Sequence, residues 1–291
     1  MTASSTSSAR PTPHPAAPTR RTALVTGASS GLGREIARFL AARGVTVYGT
    51  CRAPERIPPA ERLPGVEYVP LEVTDPASAA ACAKRTGPLD ILVNNAGTSQ
   101  LGPLEDLDDT AISDLFAVNV FGPVRMVREY LPGMRAAGRG TIVMVGSLMA
   151  EFPLPYQSAY AASKSALQGF TRSLRYEVAP FGVRVSVVQP GYYRSDISRR
   201  RERVVIPGSA YAAALAAASD TLDGSHAGAG DPAEVSRLVW RIVNAPDPAP
   251  VYSIGAHVSL QLLVKQILPD RLVERLIARR YPQTVRTPGK A

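Results

Sequence analysis

Cysteine is almost absent. Cys51 and Cys82 are the two in 291 residues, and neither shows metal-ligand or redox spacing, so both are expected to be free thiols in a reducing compartment, with no metal site. Long apolar runs are missing as well: none reaches the roughly 18 residues that a bilayer-spanning helix takes, which predicts a cytoplasmic chain. Acidic residues are scarce at both ends. Residues 1 to 21 carry Arg10, Arg20 and Arg21 with no acid (+3), and residues 271 to 291 carry six bases against Glu274 (+5). Of the formal charge of +9, only +1 belongs to the stretch between. The body therefore offers no field for a polyanion, and nucleic acid is not an expected partner.

What is present is an ordinary globular composition, 45% hydrophobic and 20% charged, long enough to bury a core. Residues 1 to 20 are the exception. Ser, Thr, Pro, Ala and Arg there cannot offset the entropy of ordering, and a disordered tail is expected. Prolines 11, 13, 15 and 18 would break the amphipathic helix of an organelle transit peptide.

The central stretch runs from Ser147 to Lys164. Ser147 closes the apolar run that starts at Thr141, and Tyr160-Ala161-Ala162-Ser163-Lys164 follows thirteen positions later. On a helix, positions i and i+4 share a face, so Tyr160 and Lys164 project side by side. An adjacent ammonium favours the phenolate, so Lys164 is expected to lower the Tyr160 pKa towards a range useful for proton transfer, with Ser147 holding a substrate oxygen against the phenol.

Upstream, Thr22 to Thr26 reads as a buried strand that runs into Gly27-Ala28-Ser29-Ser30-Gly31-Leu32-Gly33, and Arg34 to Arg43 has helical periodicity. Glycines in such a turn let backbone approach a ligand closely. The exposed N–H groups at the helix start attract a pyrophosphate, which makes this a dinucleotide site. The second strand, Val45 to Thr50, ends at Cys51-Arg52 with no acid between Gly44 and Pro54. An acid here would select NAD and an arginine accommodates a 2′-phosphate, so NADP is expected, clamped by Arg52. Further strands are expected over Val66–Val73, Ile91–Val93, the run ending at Ser147, Val183–Val188 and Val251–Ile254. Helices are expected over about Thr110–Ala137 and Ser158–Ala179. Asn94 is expected among the cofactor-binding residues, where side-chain amides could also fix adjoining backbone; Ala96-Gly97 leave room for a flat ring, and Asn119 is an amide on an apolar stretch that demands a partner. The alternation predicts an α/β fold, a doubly wound parallel sheet with its ligand at the carboxyl ends of the strands.

With these residues placed, residues 20 to about 255 resemble the short-chain dehydrogenase/reductase family, in its hydroxysteroid, retinol and ketoreductase branches. The matching motifs are Thr26-Gly27-x-x-x-Gly31-x-Gly33, Asn94-Asn95-Ala96-Gly97, Asn119, Ser147, Tyr160-x-x-x-Lys164 and Pro190-Gly191. The resemblance implies a single Rossmann domain over residues 21 to 255. In it Tyr160 is the general acid/base, Lys164 binds the nicotinamide ribose, Ser147 orients the carbonyl, and Asn119 supports a water relay. It also implies self-association. Two departures stand out. Glu72, next to Val73, replaces the family's adenine-contacting aspartate, and Ser195 replaces the threonine that holds the carboxamide.

A substrate is expected over Leu148, Met149, Phe152, Leu154 and Tyr156 and under a lid from Tyr192 to about 230, a lining that favours a bulky hydrophobic ketone or alcohol. In the lid, Arg199 to Arg203 is either a solvated face or a docking point for an acidic substrate, and His226 has no assigned role. Residues 256 to 291 read as two helical pieces divided by Pro269. The second is amphipathic and basic. It suits packing on its own domain, on a second subunit, or on a membrane surface. The leading expectation is an NADP(H)-dependent oxidoreductase acting on a small-molecule carbonyl or alcohol. A cofactor-sensing protein without turnover, and a lyase or epimerase on the same scaffold, are the alternatives.

Overall fold

The computed structural model describes residues 20–194, 197, 200–224 and 229–281. In chain order the strands are β1 (Thr22–Val25), β2 (Thr46–Cys51), β3 (Val66–Pro70), β4 (Ile91–Asn94), β5 (Gln100–Leu101), β6 (Gly140–Val145), β7 (Val183–Pro190), β8 (Glu202–Arg203) and β9 (Val251–Ile254). The helices are α1 (Gly31–Ala41), α2 (Pro76–Thr86), α3 (Asp109–Phe116), α4 (Gly122–Ala136), α5 (Ser158–Val178), α6 (Ala212–Gly224), α7 (Pro232–Asn244), α8 (Val258–Ile267) and α9 (Asp270–Arg280). Seven strands form one sheet in the order β3-β2-β1-β4-β6-β7-β9, and each adjacent pair is parallel.

The sheet is covered on both faces because its strands are apolar on both. Ala23, Val25, Ile91, Val93, Val143 and Val145 pack against Ile36 and Leu40 of α1 and Val239 and Ile242 of α7. The alternate positions Leu24, Leu92, Ile142 and Met144 pack against Met126 and Tyr130 of α4 and Leu167 of α5. This is the period-two alternation of a strand buried on each side. From the adjacent strands β1 and β4 the chain winds outward in opposite directions, which opens a crevice at their carboxyl ends.

Two elements depart from the sequence expectation. The strand expected over Val66–Val73 ends at Pro70, because the Glu72 carboxylate turns back to accept from the Thr74 backbone N–H (3.1 Å) and hydroxyl (2.9 Å). The helix expected over Thr110–Ala137 widens into a π turn at Ala117–Phe121. Pro123 supplies no N–H and its ring clashes with a carbonyl four residues back, so the Gly122 N–H bonds the Ala117 carbonyl instead.

The C-terminal helices fold back over the carboxyl end of the sheet. Lys265 of α8 bonds the Glu151 carboxylate at 2.9 Å and the Glu151 carbonyl at 2.8 Å. Ile277 of α9 and the following Tyr281 join Leu101, Leu154, Tyr156, Leu215 and Leu222 in one apolar cluster. The lid is tied down by β8, which pairs in parallel with β5.

Candidate active site

The glycine turn is built by steric necessity. Gly27 has φ +67°, and a Cβ there would come within 3.1 Å of the Ala96 Cα, so the turn and the β4 loop are in close backbone contact. Gly33 has ordinary dihedrals but no room: a Cβ would fall well inside contact distance of the Asn95 Nδ2 and the Gly27 carbonyl. Asn95 staples the two loops, its Nδ2 donating to the Thr26 carbonyl at 2.9 Å and its backbone N–H to the Thr26 hydroxyl at 2.9 Å. Gly33→Ala is therefore expected to destabilise the fold by about 2–3 kcal/mol. A urea midpoint equal to that of the native chain would contradict this close packing.

At α1 the N-cap Ser30 makes no side-chain cap bond, and no acid stands in the first turn. The first N–H groups of the helix therefore face the cavity without a competing carboxylate, a cradle that fits a pyrophosphate.

Ser147, Tyr160 and Lys164 line one cavity of about 960 Å³ that runs from this cradle to the C-terminal helices. Tyr160 and Lys164 stand one turn apart on α5, with the Lys164 Nζ 5.8 Å from the Tyr160 ring centroid. The Lys164 Nζ also donates to the Val145 carbonyl at the end of β6, 3.2 Å away. Asn119, carried inward by the π turn, is fully buried and lies outside the cavity wall. Its Oδ1 accepts from the Thr98 N–H at 2.9 Å, and its Nδ2 donates to the Thr98 carbonyl at 3.0 Å and the Ser163 hydroxyl at 3.1 Å. It fixes the loop after β4 against α5.

The electrostatics differ from the sequence expectation. Burial pushes the Tyr160 phenol above its ordinary value, while a hydrogen bond from Ser147 and the charge of Arg201 pull the other way. Lys164 is pushed down to about 8, again by burial. Burial thus opposes the charged form of each group, and beside that effect the charge of Arg201 favours the phenolate.

The chain matches the short chain dehydrogenase family over residues 21–204. It belongs to the short-chain dehydrogenase/reductase family. Uncharacterized oxidoreductase YusZ of Bacillus subtilis is 32% identical over 276 residues, covering 90% of this chain and 98% of that protein. A 3-ketodihydrosphingosine reductase of Bacteroides thetaiotaomicron is 31% identical over 258 residues, covering 86% and 94%. A short chain dehydrogenase from Burkholderia cenocepacia, solved in complex with NADP, superposes with a TM-score of 0.71 at 28% identity and covers 88% of this chain and 97% of that one. Membership makes the chain an oxidoreductase that uses a nicotinamide cofactor, in a family whose members act on small-molecule carbonyls or alcohols.

In this dehydrogenase/reductase most residues expected at the cofactor end line the cavity: Gly27, Ser29, Ser30, Gly31, Leu32, Arg52, Glu72, Val73, Ala96, Gly97, Pro190 and Gly191. Arg52 is exposed at the mouth, beyond the end of β2. Glu72 lines the cavity with its Oε1 already accepting from the Thr74 N–H and hydroxyl. Asn94 is a correction. Its amide is buried and turned towards the Pro123 carbonyl and Met144 sulfur, both at 3.3 Å, and the neighbouring Asn95 takes the place at the cavity wall. Gly33 and Asn119 shape the site without lining it, and Ser195 and His226 lie outside the described residues.

At the substrate end Leu148, Met149, Phe152, Leu154 and Tyr192 line the cavity as expected. Tyr156 does not; with φ +61° it turns into the apolar cluster beneath α6 and α9. Sequence reasoning missed the far wall, where Val264, Val273, Leu276, Ile277 and Tyr281 come from the C-terminal helices. Their spacing marks an apolar face, with Leu276 at its exposed rim, but nothing local says that the face meets this cavity. The arginine run divides residue by residue: Arg203 pairs with Asp223 at 2.7 Å, Arg201 is half-buried in the cavity wall, and Arg199 lies outside the described residues. Among the described residues no helix is long and apolar enough to cross a membrane.

Proposed function

We propose that this chain is an NADP(H)-dependent reductase that interconverts a carbonyl and an alcohol on a bulky, mainly hydrophobic substrate of steroid-, retinoid- or polyketide-like shape. The observation that carries the reading is the convergence of Ser147, Tyr160 and Lys164 on one cavity between the glycine turn and an apolar far wall. Bound NADPH supplies hydride to the carbonyl carbon. Tyr160 is the proton donor. Burial favours its protonated form, the form that a reductase needs as the oxygen gains negative charge. Ser147 sets the substrate oxygen against that phenol, and Lys164, protonated below about pH 8, stabilises developing negative charge beside it. The N–H groups at the start of α1 would receive the pyrophosphate, and Pro190-Gly191 would border the nicotinamide carboxamide. Asn119 acts by positioning the Thr98 loop.

The preference for NADP rests on Arg52 at the mouth and on the missing acid at the end of β2; the NADP complex of the Burkholderia relative agrees with it. Arg52→Asp is expected to weaken NADPH about tenfold or more and NADH much less. Equal effects on both cofactors would remove Arg52 from the clamp. The size of the substrate rests on the apolar far wall, and a sphingoid-base ketone named for one relative fits the same description. Oxidation of NADPH in the presence of long-chain, steroidal, retinoid and aromatic polyketide carbonyls tests the whole reading. A panel that leaves NADPH absorbance unchanged sinks it.

The chain is further proposed to be a cytoplasmic homo-oligomer that touches membranes through α9. Leu272 and Leu276 are exposed there beside Arg271, Arg275 and Arg279, an apolar strip edged by positive charge that suits an anionic lipid surface.

A further inference from the structure

Arg201, half-buried in the cavity wall, makes no ion pair with any described residue. Among the described residues no acceptor meets its enclosed Nε and Nη1. Asp223, an acid whose charge reaches it, is already held by Arg203 at 2.7 Å. The same end of the cavity carries Arg200 and Arg280, against Asp114 and Glu202. All four of these are exposed to solvent, whereas Arg201 is half-buried. A guanidinium removed from water without an acceptor is costly, and the cost disappears when a carboxylate or another oxyanion accepts from it.

We propose that Arg201 anchors an anionic group of the substrate, and that the substrate is a keto acid or hydroxy acid with a large apolar remainder. Arg201 and Tyr160 line the same cavity, so an anion held by the guanidinium shares that space with the reacting carbonyl. The remaining substrate surface then meets Met149, Phe152 and Leu154 on one side and Val273 and Ile277 on the other. β8 holds the anchor in place: Glu202, the next residue, pairs with Gln100 of β5, and its N–H bonds the Ser99 carbonyl at 3.0 Å. This assignment deepens the reductase reading and rests on it for the identity of the reacting carbonyl.

The test uses matched pairs: 4-oxo-4-phenylbutanoate, 5-oxo-5-phenylpentanoate and 6-oxo-6-phenylhexanoate, each beside its primary amide. Acid and amide have nearly the same shape and differ in charge. Calorimetric titration of the full chain with saturating NADP⁺ should give, for at least one length, an acid that binds about 100-fold tighter than its amide. Arg201→Gln should bring the two within a few-fold of each other, and Arg201→Lys should restore part of the gap. Equal binding of acid and amide at every length, or no binding of either, overturns the anchor, as does a gap that survives Arg201→Gln. A variant that weakens acid and amide alike also overturns it and would make Arg201 a partner of Tyr160 alone. NADPH oxidation measured on the same pairs separates the two readings. Acid-selective binding without turnover keeps the anchor and sinks the reductase, while equal turnover of acid and amide keeps the reductase and sinks the anchor.

Discussion

Tyr160→Phe is expected to lower kcat for carbonyl reduction by about a thousandfold, the order that a positioned proton donor contributes. The ring packs beside Leu115 and Ala159, and phenylalanine keeps those contacts. Only the hydroxyl is lost, so the fold and the pyrophosphate cradle more than a strand-width away should be unaffected. NADPH affinity, read from fluorescence of the bound nucleotide, should stay within a few-fold of the parent. That split between kcat and cofactor affinity distinguishes a lost proton donor from a damaged site. Turnover within tenfold of the parent would mean that the proton comes from elsewhere, and the assignment of Tyr160 would fall.

Lys164→Met is expected to abolish measurable reduction and at the same time to stabilise the protein. Burial holds Lys164 at about 8 against an ordinary 10.5. Between those two pH values the unfolded chain binds the proton and the folded one does not, so stability rises with pH across the window. Below about pH 8 the folded protein carries the full cost of the buried ammonium, about 3 kcal/mol. Methionine of similar length removes that cost and forfeits the hydrogen bond to the Val145 carbonyl, about 1 kcal/mol. A net gain of about 2 kcal/mol at pH 7 follows; it should fall to about zero near pH 10 and turn into a loss of up to about 1 kcal/mol above pH 10.5, where the amine is neutral in both states. Denaturant midpoints of the two proteins at pH 7 and pH 10 measure it directly. A destabilised variant at pH 7, or a gap that widens with pH, would show that Lys164 is compensated in the native state.

Stability and chemistry thus oppose each other on α5. The cation that serves a developing oxyanion is the one whose desolvation costs the resting fold most, and the phenol that must give a proton keeps it because water is excluded from its surroundings. An enclosed reaction site needs both conditions, since the same low dielectric that penalises a lone charge strengthens its action on a substrate.

Much of this was legible in the residues. Strand alternation and the glycine turn are short-range effects, as are the caps that the Asp75 and Asp231 carboxylates place on α2 and α7. The four-residue spacing of Tyr160 and Lys164 fixes a shared helix face wherever the helix lies. Other features were misread where a single residue of offset decides. Asn94 and Asn95 are adjacent, and the chain direction at the end of β4 turns one amide into the core and the other to the glycine turn.

By itself the sequence determined the fold class, the family and the residues able to move a proton, because helical and strand periodicity and glycine dihedrals are local properties of the chain. Only the tertiary structure decided that α9 closes the cavity, that Arg201 rather than Arg203 meets it, and that burial raises the Tyr160 phenol where a neighbouring ammonium was expected to lower it. These depend on which distant surfaces exclude water from a group, and desolvation is a property of the packed whole that no short window of residues contains.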